Sequence, residues 1–210
     1  MQHHIINVSL TFSSIEGAKS SLLLLADSGA QSIDLANTEA TTAAPKGAKV
    51  VLVDSCDADL TTSLASIKTM EPSRVVLVSL CVCQEPKKEL SVAEKAVADS
   101  GLPYSIVRAC SGVESADPEL GSKQGVKVSA IGTLSLASVP ASKQQLAEVV
   151  SAVLSASAST SLEVGSDAST PVSPVAAAVA SFLEPPVDTP VDRESLCPLS
   201  PFSLPLLSLI

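Results

Sequence analysis

Two short stretches of this chain have residue types and spacing that could support chemistry. The first is TFSSIEG, residues 11–17, which lies between a β-branched apolar segment and a helix-compatible one. A turn in that position can bind nucleotide phosphates when glycines let the backbone approach the anion, yet this one has only Gly17. The second stretch is Cys81-Val82-Cys83, whose thiols would share one face of a strand. No second Cys or His pair lies nearby to complete a tetrahedral metal site, so we predict a structural role and no bound metal.

Apolar β-branched runs alternate with helix-compatible stretches over the first two thirds of the chain. The pattern predicts strands at residues 4–8, 32–35, 48–54, 74–80, 104–108 and 161–164. It predicts helices at residues 17–28, 60–70, 88–100 and 142–155, with Ser142 as an N-cap and Gly29 and Gly101 as helix stops. This alternation is typical of βαβ units. We therefore expect an α/β fold with a Rossmann-like, doubly wound parallel sheet.

The last part of the chain has a different composition, rich in Pro, Ala, Val and Ser. Because frequent prolines disfavour helix and central strand, we predict a Rossmann-like domain at residues 1–169 and an extended tail at residues 170–210. The tail ends in PFSLPLLSLI, residues 201–210, an apolar segment interrupted by proline. Such a segment could occupy the hydrophobic groove of a partner protein, or fold back over its own domain.

Composition excludes several classes of function. A net charge of −9 and 2% aromatic residues, with no run of basic residues, argue against a nucleic-acid partner. The beginning MQHHIIN lacks the layout of a signal peptide, and no window of about 18 apolar residues could span a bilayer. Any membrane association would therefore be peripheral. The odd number of cysteines, five, suits a reducing compartment.

Two segments carry a resemblance to a known family. They are RVVLVSL at residues 74–80 and VAEKAVADSGLPYSIVRACSG at residues 92–112. This order resembles the atypical short-chain dehydrogenase/reductases, the NmrA-like NAD(P)-binding proteins, and SGLPYSIVR is its most specific part. The resemblance covers about residues 4–168, and the tail has no counterpart.

The resemblance implies a set of cofactor-binding positions that this chain fills unusually. The family's G-x-x-G-x-x-G loop falls on Thr11, Ser14 and Gly17, so only the glycine that permits helix–strand packing is kept. Asn37 falls where the family reads the ribose, and Asp57 falls where an acid usually lies near the adenine. Asp57 could equally cap the helix beginning near Leu60. If NAD(P) binds, Thr11, Ser14, Gly17, Asn37 and Asp57 are the expected contacts.

The resemblance implies no catalytic residues. The Tyr-x-x-x-Lys pair of ordinary short-chain dehydrogenases, in which Lys lowers the tyrosine pKa, would fall on Pro86 and Leu90. Cys110 takes the place of the family's glycine at the ligand-facing end of the fifth strand. It is either a reactive thiol or a buried small side chain.

Three functions fit these features. The first is a non-catalytic scaffold, a pseudoenzyme serving as accessory subunit or assembly partner of a larger complex. Related atypical members have that role in respiratory and photosynthetic membrane complexes, so the resemblance implies an organelle, mitochondrion or chloroplast. The second is an NAD(P)-dependent oxidoreductase or isomerase with a divergent phosphate loop. The third is an NAD(P) or redox sensor, in which Cys81, Cys83 and Cys110 would need access to solvent.

Overall fold

The computed structural model describes residues 8–12, 31–33, 46–81, 88–110, 124–134 and 140–183. Within these residues seven strands form one sheet: β1 Val8–Phe12, β2 Gln31–Ile33, β3 Lys49–Ser55, β4 Arg74–Cys81, β5 Tyr104–Cys110, β6 Gly125–Ala130 and β7 Ser161–Asp167. The described helices are α1 Thr61–Thr69, α2 Val92–Ala98, α3 Lys143–Ser155 and α4 Val175–Leu183.

The strand order is β2-β1-β3-β4-β5-β7-β6, and all neighbours are parallel except β6, which runs antiparallel to β7. The chain moves from β1 outward to β2, then returns past β1 to β3. This reversal places a topological switch point between β1 and β3, where such sheets open a crevice at the carboxyl ends of their strands. The fold is the predicted Rossmann-like, doubly wound α/β sheet.

Helices cover both faces of the sheet because its central strands are apolar on both sides. On one face, Leu64 and Ile67 of α1 and Val97 of α2 pack against Leu52 and Leu77. On the other face, the residues of α3 and α4 pack against alternate residues of β3, β4, β5 and β7, such as Val51, Val76, Val107 and Leu162. Alternation along each strand therefore divides the core into two layers.

Capping boxes set the starts of two helices: Ser142 is the predicted N-cap of α3, whereas α2 begins at Val92 after Ser91, four residues later than the predicted start at residue 88. Ser91 before α2 and Ser142 before α3 each accept a hydrogen bond from the backbone three residues on, and Glu94 and Gln145 complete the two capping boxes. Gly101, with a φ of +77°, turns the chain after α2. The helix predicted at residues 17–28, with Gly29, lies outside the described residues.

Two strands differ from the prediction. Strand β1 is described at Val8–Phe12, so it extends beyond the predicted end at residue 8, and residues 4–7 of the predicted strand lie outside the described residues. Pairing of Val8 with Lys49 and of Phe12 with Val53 sets its register against β3. Strand β6 was not predicted at all, since it is a short edge strand whose burial falls from its first residues to its last.

The predicted extended tail is wrong for the part that the structure describes. Residues Val175–Leu183 form α4, and Val175 and Val179, one turn apart, are buried in the core. Pro171 and Pro174 precede the helix, where their missing N–H groups are not needed, and VAAAVASFL contains no proline. The folded unit therefore extends at least to Leu183, beyond the predicted boundary at residue 169. Residues 184–210, including the apolar segment 201–210, lie outside the described residues.

Across the described helices, none combines the length and apolarity of a membrane span.

Candidate functional site

A row of polar residues crosses four strands near the carboxyl edge of the sheet. Asp54 on β3 is the register partner of Ser79 on β4, Ser79 of Arg108 on β5, and Arg108 of Glu163 on β7. Side chains at matched positions of parallel strands point to the same face. Helices α1 and α2 cover that face, and Glu94 of α2 contacts Arg108 there. We call these four residues, together with Glu94, the polar row.

The polar row is buried, although each member is polar or charged. Asp54 is 2% exposed, Arg108 7% and Glu163 5%, while Ser79 and Glu94 are fully enclosed. A buried charge is tolerated only when it is paired and hydrogen-bonded. The charges and polar groups of the row must therefore be paired and hydrogen-bonded within the protein.

Arg108 is the centre of the row. Its Nε donates to Glu94 Oε1 at 2.8 Å, its Nη2 donates to Glu94 Oε2, and its Nη1 donates to Glu163 Oε1 at 3.1 Å. Nη2 also donates to the carbonyl oxygen of Glu89 at 2.9 Å. Burial opposes the charge of Arg108, but the two carboxylates outweigh it and raise its pKa. One guanidinium thus ties α2 and its preceding loop to β5 and β7.

Both glutamates also accept hydrogen bonds from backbone N–H groups. Glu163 Oε2 accepts from the N–H groups of Thr133 at 3.2 Å and Leu134 at 3.1 Å, in the turn after β6. Glu94 Oε2 accepts from the N–H of Ser91, as part of the α2 capping box. Although burial raises the pKa of Glu94, the bonds and charge of Arg108 and the bond from Ser91 hold it below its ordinary value. Glu94 and Glu163 therefore act as structural anions.

Asp54 has a different electrostatic environment. Burial raises the pKa of its carboxyl group, and a hydrogen bond from the N–H of Ser55 to Oδ1, at 2.8 Å, opposes that rise. The residue ends the apolar run of β3, which borders the switch point. In Asp54 the effect of burial therefore prevails and its pKa is raised, whereas in Glu94 the bonds to Arg108 prevail and the pKa is lowered.

A second row, of cysteines, lies two residues closer to the carboxyl edge. The Cα of Cys81 on β4 pairs with that of Cys110 on β5. On the other side, the N–H of Cys56 donates to the carbonyl of Leu80 at 3.1 Å, which continues the β3–β4 ladder and sets Cys56 level with Cys81. Cys56 and Cys81 are half-buried thiols. Burial raises the pKa of Cys81 to about 12, a bond from Ser79 opposes the rise, and contact with Cys56 adds to it.

Of the five predicted cofactor contacts, the structure describes Thr11 and Asp57. Thr11 lies inside β1, opposite Ile33 and Leu52, so it belongs to a strand where a loop position was expected. Ser14, Gly17 and Asn37 lie outside the described residues, as do Cys83, Pro86 and Lys87. Asp57 is an exposed residue of the turn after β3, at the carboxyl edge.

The N-cap position of α1 is Leu60, and the side chain nearest the helix start is that of Asp59. Asp59 Oδ1 accepts from the N–H of Thr61 at 3.0 Å and from its hydroxyl at 2.6 Å, at the first residue of α1. Leu90, at the expected Lys position of the catalytic pair, is 40% exposed before α2. Among the described residues, no group of three His, Cys, Asp or Glu side chains is arranged to bind a metal ion.

Sequence reasoning missed the polar row, although one signal was available. Asp54, Arg108 and Glu163 are single charges inside runs that otherwise read as buried strands: VVLVDS, YSIVRAC and SLEVGS. A charge in such a run must have a partner, and an excess of carboxylates over one arginine indicates a shared network. Glu94 could not be assigned to it in this way, because its helix pattern is also compatible with an exposed capping-box residue.

Comparison with known proteins gives a limited result. No family model matches the chain, and no curated protein matches it. Among solved structures, the chain is similar to a nucleoside-diphosphate-sugar epimerase from Staphylococcus aureus, with 12% sequence identity and a TM-score of 0.45. The similarity covers 76% of this chain and 71% of the epimerase. The strand order and the two covered faces of the sheet give the chain its Rossmann-like fold.

Proposed function

We propose that this protein is a non-catalytic scaffold, an accessory subunit or assembly partner of a larger protein complex. The observation that carries the proposal is the Arg108 network. At the carboxyl edge of a Rossmann-like sheet, where enzymes of this fold place ligand and catalytic groups, the buried charges of Glu94, Arg108 and Glu163 link a helix to two strands.

The ion pair of Arg108 and Glu94 and the thiol of Cys81 are poorly suited to proton transfer at neutral pH. Catalysis by a general acid or base requires a pKa near the working pH. The pKa values of Glu94 and Arg108 move away from neutrality, downward and upward respectively. The thiol of Cys81, with a pKa of about 12, keeps its proton. These directions favour a structural use of the edge.

The sequence supports the same proposal. Thr11 and Ser14 replace two phosphate-loop glycines of the family that the chain resembles, and Pro86 replaces its catalytic tyrosine. Residues 201–210 supply an apolar segment that could occupy a groove of a partner, with prolines lowering the entropy lost on binding. The setting suggested by family analogy is an organellar membrane complex, with peripheral association.

One observation favours a second candidate, an NAD(P)-binding enzyme or sensor. The switch point between β1 and β3 is the position at which folds of this class bind nucleotides. Asp57 lies in the turn that follows β3 at that same edge. In this candidate function Thr11, Ser14, Gly17, Asn37 and Asp57 contact the cofactor.

Thermal unfolding with nucleotides separates the two candidates. The full chain is heated with and without NAD, NADH, NADP and NADPH at millimolar concentration. Truncation at residue 170 is unsuitable because it removes α4 from the core. For a scaffold we expect no change in Tm. A nucleotide at about 100 times its Kd would add about 2.7 kcal/mol, or roughly 5–10 °C, and that result would favour the enzyme or sensor.

The scaffold role also has a direct test in the cells that make the protein. The tagged full chain should migrate on a native gel with a complex much larger than itself, and so should the Ser14→Asp variant, whose new charge would repel a diphosphate. A chain ending at Leu183, which keeps α4, tests the contribution of residues 184–210 and should migrate alone. Migration of the full chain as a monomer under mild extraction would contradict the proposal.

A further inference from the structure

The cysteine row carries an inference that is independent of the scaffold role. We propose that Cys56 and Cys81 form a redox modification site, which hydroperoxides convert into a disulfide between the end of β3 and the end of β4. The backbone register of the two residues, the contact between their thiols and their partial exposure support such a site.

The backbone already places the two residues within bridging range. Ser55 pairs with Leu80, and the bond from the N–H of Cys56 to the carbonyl of Leu80 sets the next two residues level. Neighbouring strands are about 4.8 Å apart, and disulfides join residues whose Cα atoms are roughly 4.4–6.8 Å apart. Bridging therefore needs no rearrangement of the sheet.

The end of β3 also allows the small adjustment that a disulfide requires. The Cβ atoms of a disulfide approach to about 3.5–4.5 Å, which is closer than strand neighbours usually come. Cys56 lies in the turn after β3, one residue beyond the end of the strand, so its position is not set by regular strand geometry. Its carbonyl accepts from the N–H of Ala93 at 3.1 Å, which links this turn to the first residues of α2.

The surroundings of the two thiols suggest different roles. Both side chains are half-buried, so each is partly open to a small oxidant. Ser79 Oγ lies 3.5 Å from Cys81 Sγ, on the side of the polar row, whereas Cys56 is followed by the exposed Asp57. Cys56, which borders the exposed turn, therefore reacts first with the oxidant, and Cys81 resolves the product.

The chemistry has two steps. The Cys56 thiolate attacks one oxygen of hydrogen peroxide, the O–O bond breaks, and the released hydroxide takes a proton to give water, leaving a sulfenic acid. Cys81 sulfur then attacks the Cys56 sulfur, the S–O bond breaks, and the Cys81 proton leaves with the hydroxyl group as a second water. Two thiols are oxidised to one disulfide, and one peroxide is reduced to two waters.

Peptide mapping of the full chain tests the proposal. The reduced protein is treated with hydrogen peroxide, blocked with an alkylating reagent and digested without reductant. We expect one cross-linked pair containing Cys56 and Cys81, reversed by dithiothreitol. The disulfide closes the loop between residues 56 and 81, so the oxidised chain should also unfold about 5–10 °C higher.

Variants give the matched controls. Cys197→Ser should form the Cys56–Cys81 link as readily as the unaltered chain, whereas Cys56→Ser and Cys81→Ser should not form it. A cross-link that joins Cys81 to Cys110 or Cys83, or oxidation that leaves Cys56 and Cys81 as thiols, would overturn the proposal. The mapping of the unaltered chain decides the question even where a serine variant folds poorly.

Discussion

Arg108 on β5 and Glu94 on α2 form a two-pronged ion pair, with Nε donating to Oε1 at 2.8 Å and Nη2 donating to Oε2. The pair is enclosed by protein, and the third arm of the guanidinium reaches Glu163 on β7. A helix and two strands therefore meet at one cation. The guanidinium links α2 to β5 and β7 near the edge of the sheet where folds of this class bind ligands.

Replacement of Glu94 by Gln should destabilise the protein strongly. The change leaves the buried charge of Arg108 short of one carboxylate, and breaking a buried pair in this way costs about 3–5 kcal/mol. Urea unfolding measures the loss. Glu148→Gln, on the exposed side of α3, is the matched control and should change stability by no more than about 0.5 kcal/mol. Equal effects of the two substitutions would show that the ion pair contributes little.

Acid should destabilise the folded protein partly because Glu94 becomes protonated. Its pKa is lower in the folded chain than the ordinary value of 4.5, so the unfolded state takes up protons first as the pH falls. The stabilisation is complete above that ordinary value and is lost as the pH falls through the folded pKa. Unfolding free energies measured between pH 7 and pH 3 should decline less steeply in Glu94→Gln. Parallel curves for the two proteins would contradict this assignment.

Asp54 should behave in the opposite sense. Burial raises its pKa above 3.8, so the folded state binds the proton more tightly and stability falls as the pH rises through that interval. Asp54→Asn keeps an acceptor for the N–H of Ser55 and removes the buried charge. We expect the variant to be at least as stable at pH 7, with the advantage vanishing near pH 3. A variant less stable at pH 7 would show that the Asp54 charge is needed by its neighbours.

Gly132 should not tolerate a side chain. Its φ is +79°, and an added Cβ would lie 2.5 Å from the Cα of Lys88, while the same turn supplies the two N–H donors of Glu163. Gly132→Ala should therefore cost about 2 kcal/mol or more. Gly47→Ala shares the left-handed backbone but meets no atom within 4 Å, and should cost only about 1 kcal/mol. Thermal unfolding of both variants gives the comparison, and similar losses would exclude the clash with Lys88.

Helix α4 should contribute to the stability of the domain. Val179 is 1% exposed, and its truncation to Ala should cost about 2 kcal/mol through lost burial and a small cavity. Val172, just before the helix, is 58% exposed, so Val172→Ala should change stability by less than about 0.5 kcal/mol. Urea unfolding of the two variants is the measurement. If Val179→Ala is as mild as its control, α4 is only loosely attached.

The elements predicted best are those encoded locally. The buried runs AKVVLVD and RVVLVSL are too apolar and β-branched for a surface element, and they form β3 and β4 close to the expected positions. Ser142 and Gly101 mark helix ends by short-range hydrogen bonding and backbone geometry. The alternation of such elements predicts the doubly wound sheet because crossovers between parallel strands have one preferred hand.

The sequence by itself therefore determined the class of fold, since hydrophobic period, caps and turns act over a few residues. Tertiary structure decided the register of β1, the pairing of β6, the packing of α4 and the composition of the polar row. Arg108 meets Glu94 from 14 residues away and Glu163 from 55 residues away, separations that no local pattern encodes. These contacts exist because parallel strands bring distant positions level, and because a charge buried between them must find its partners there.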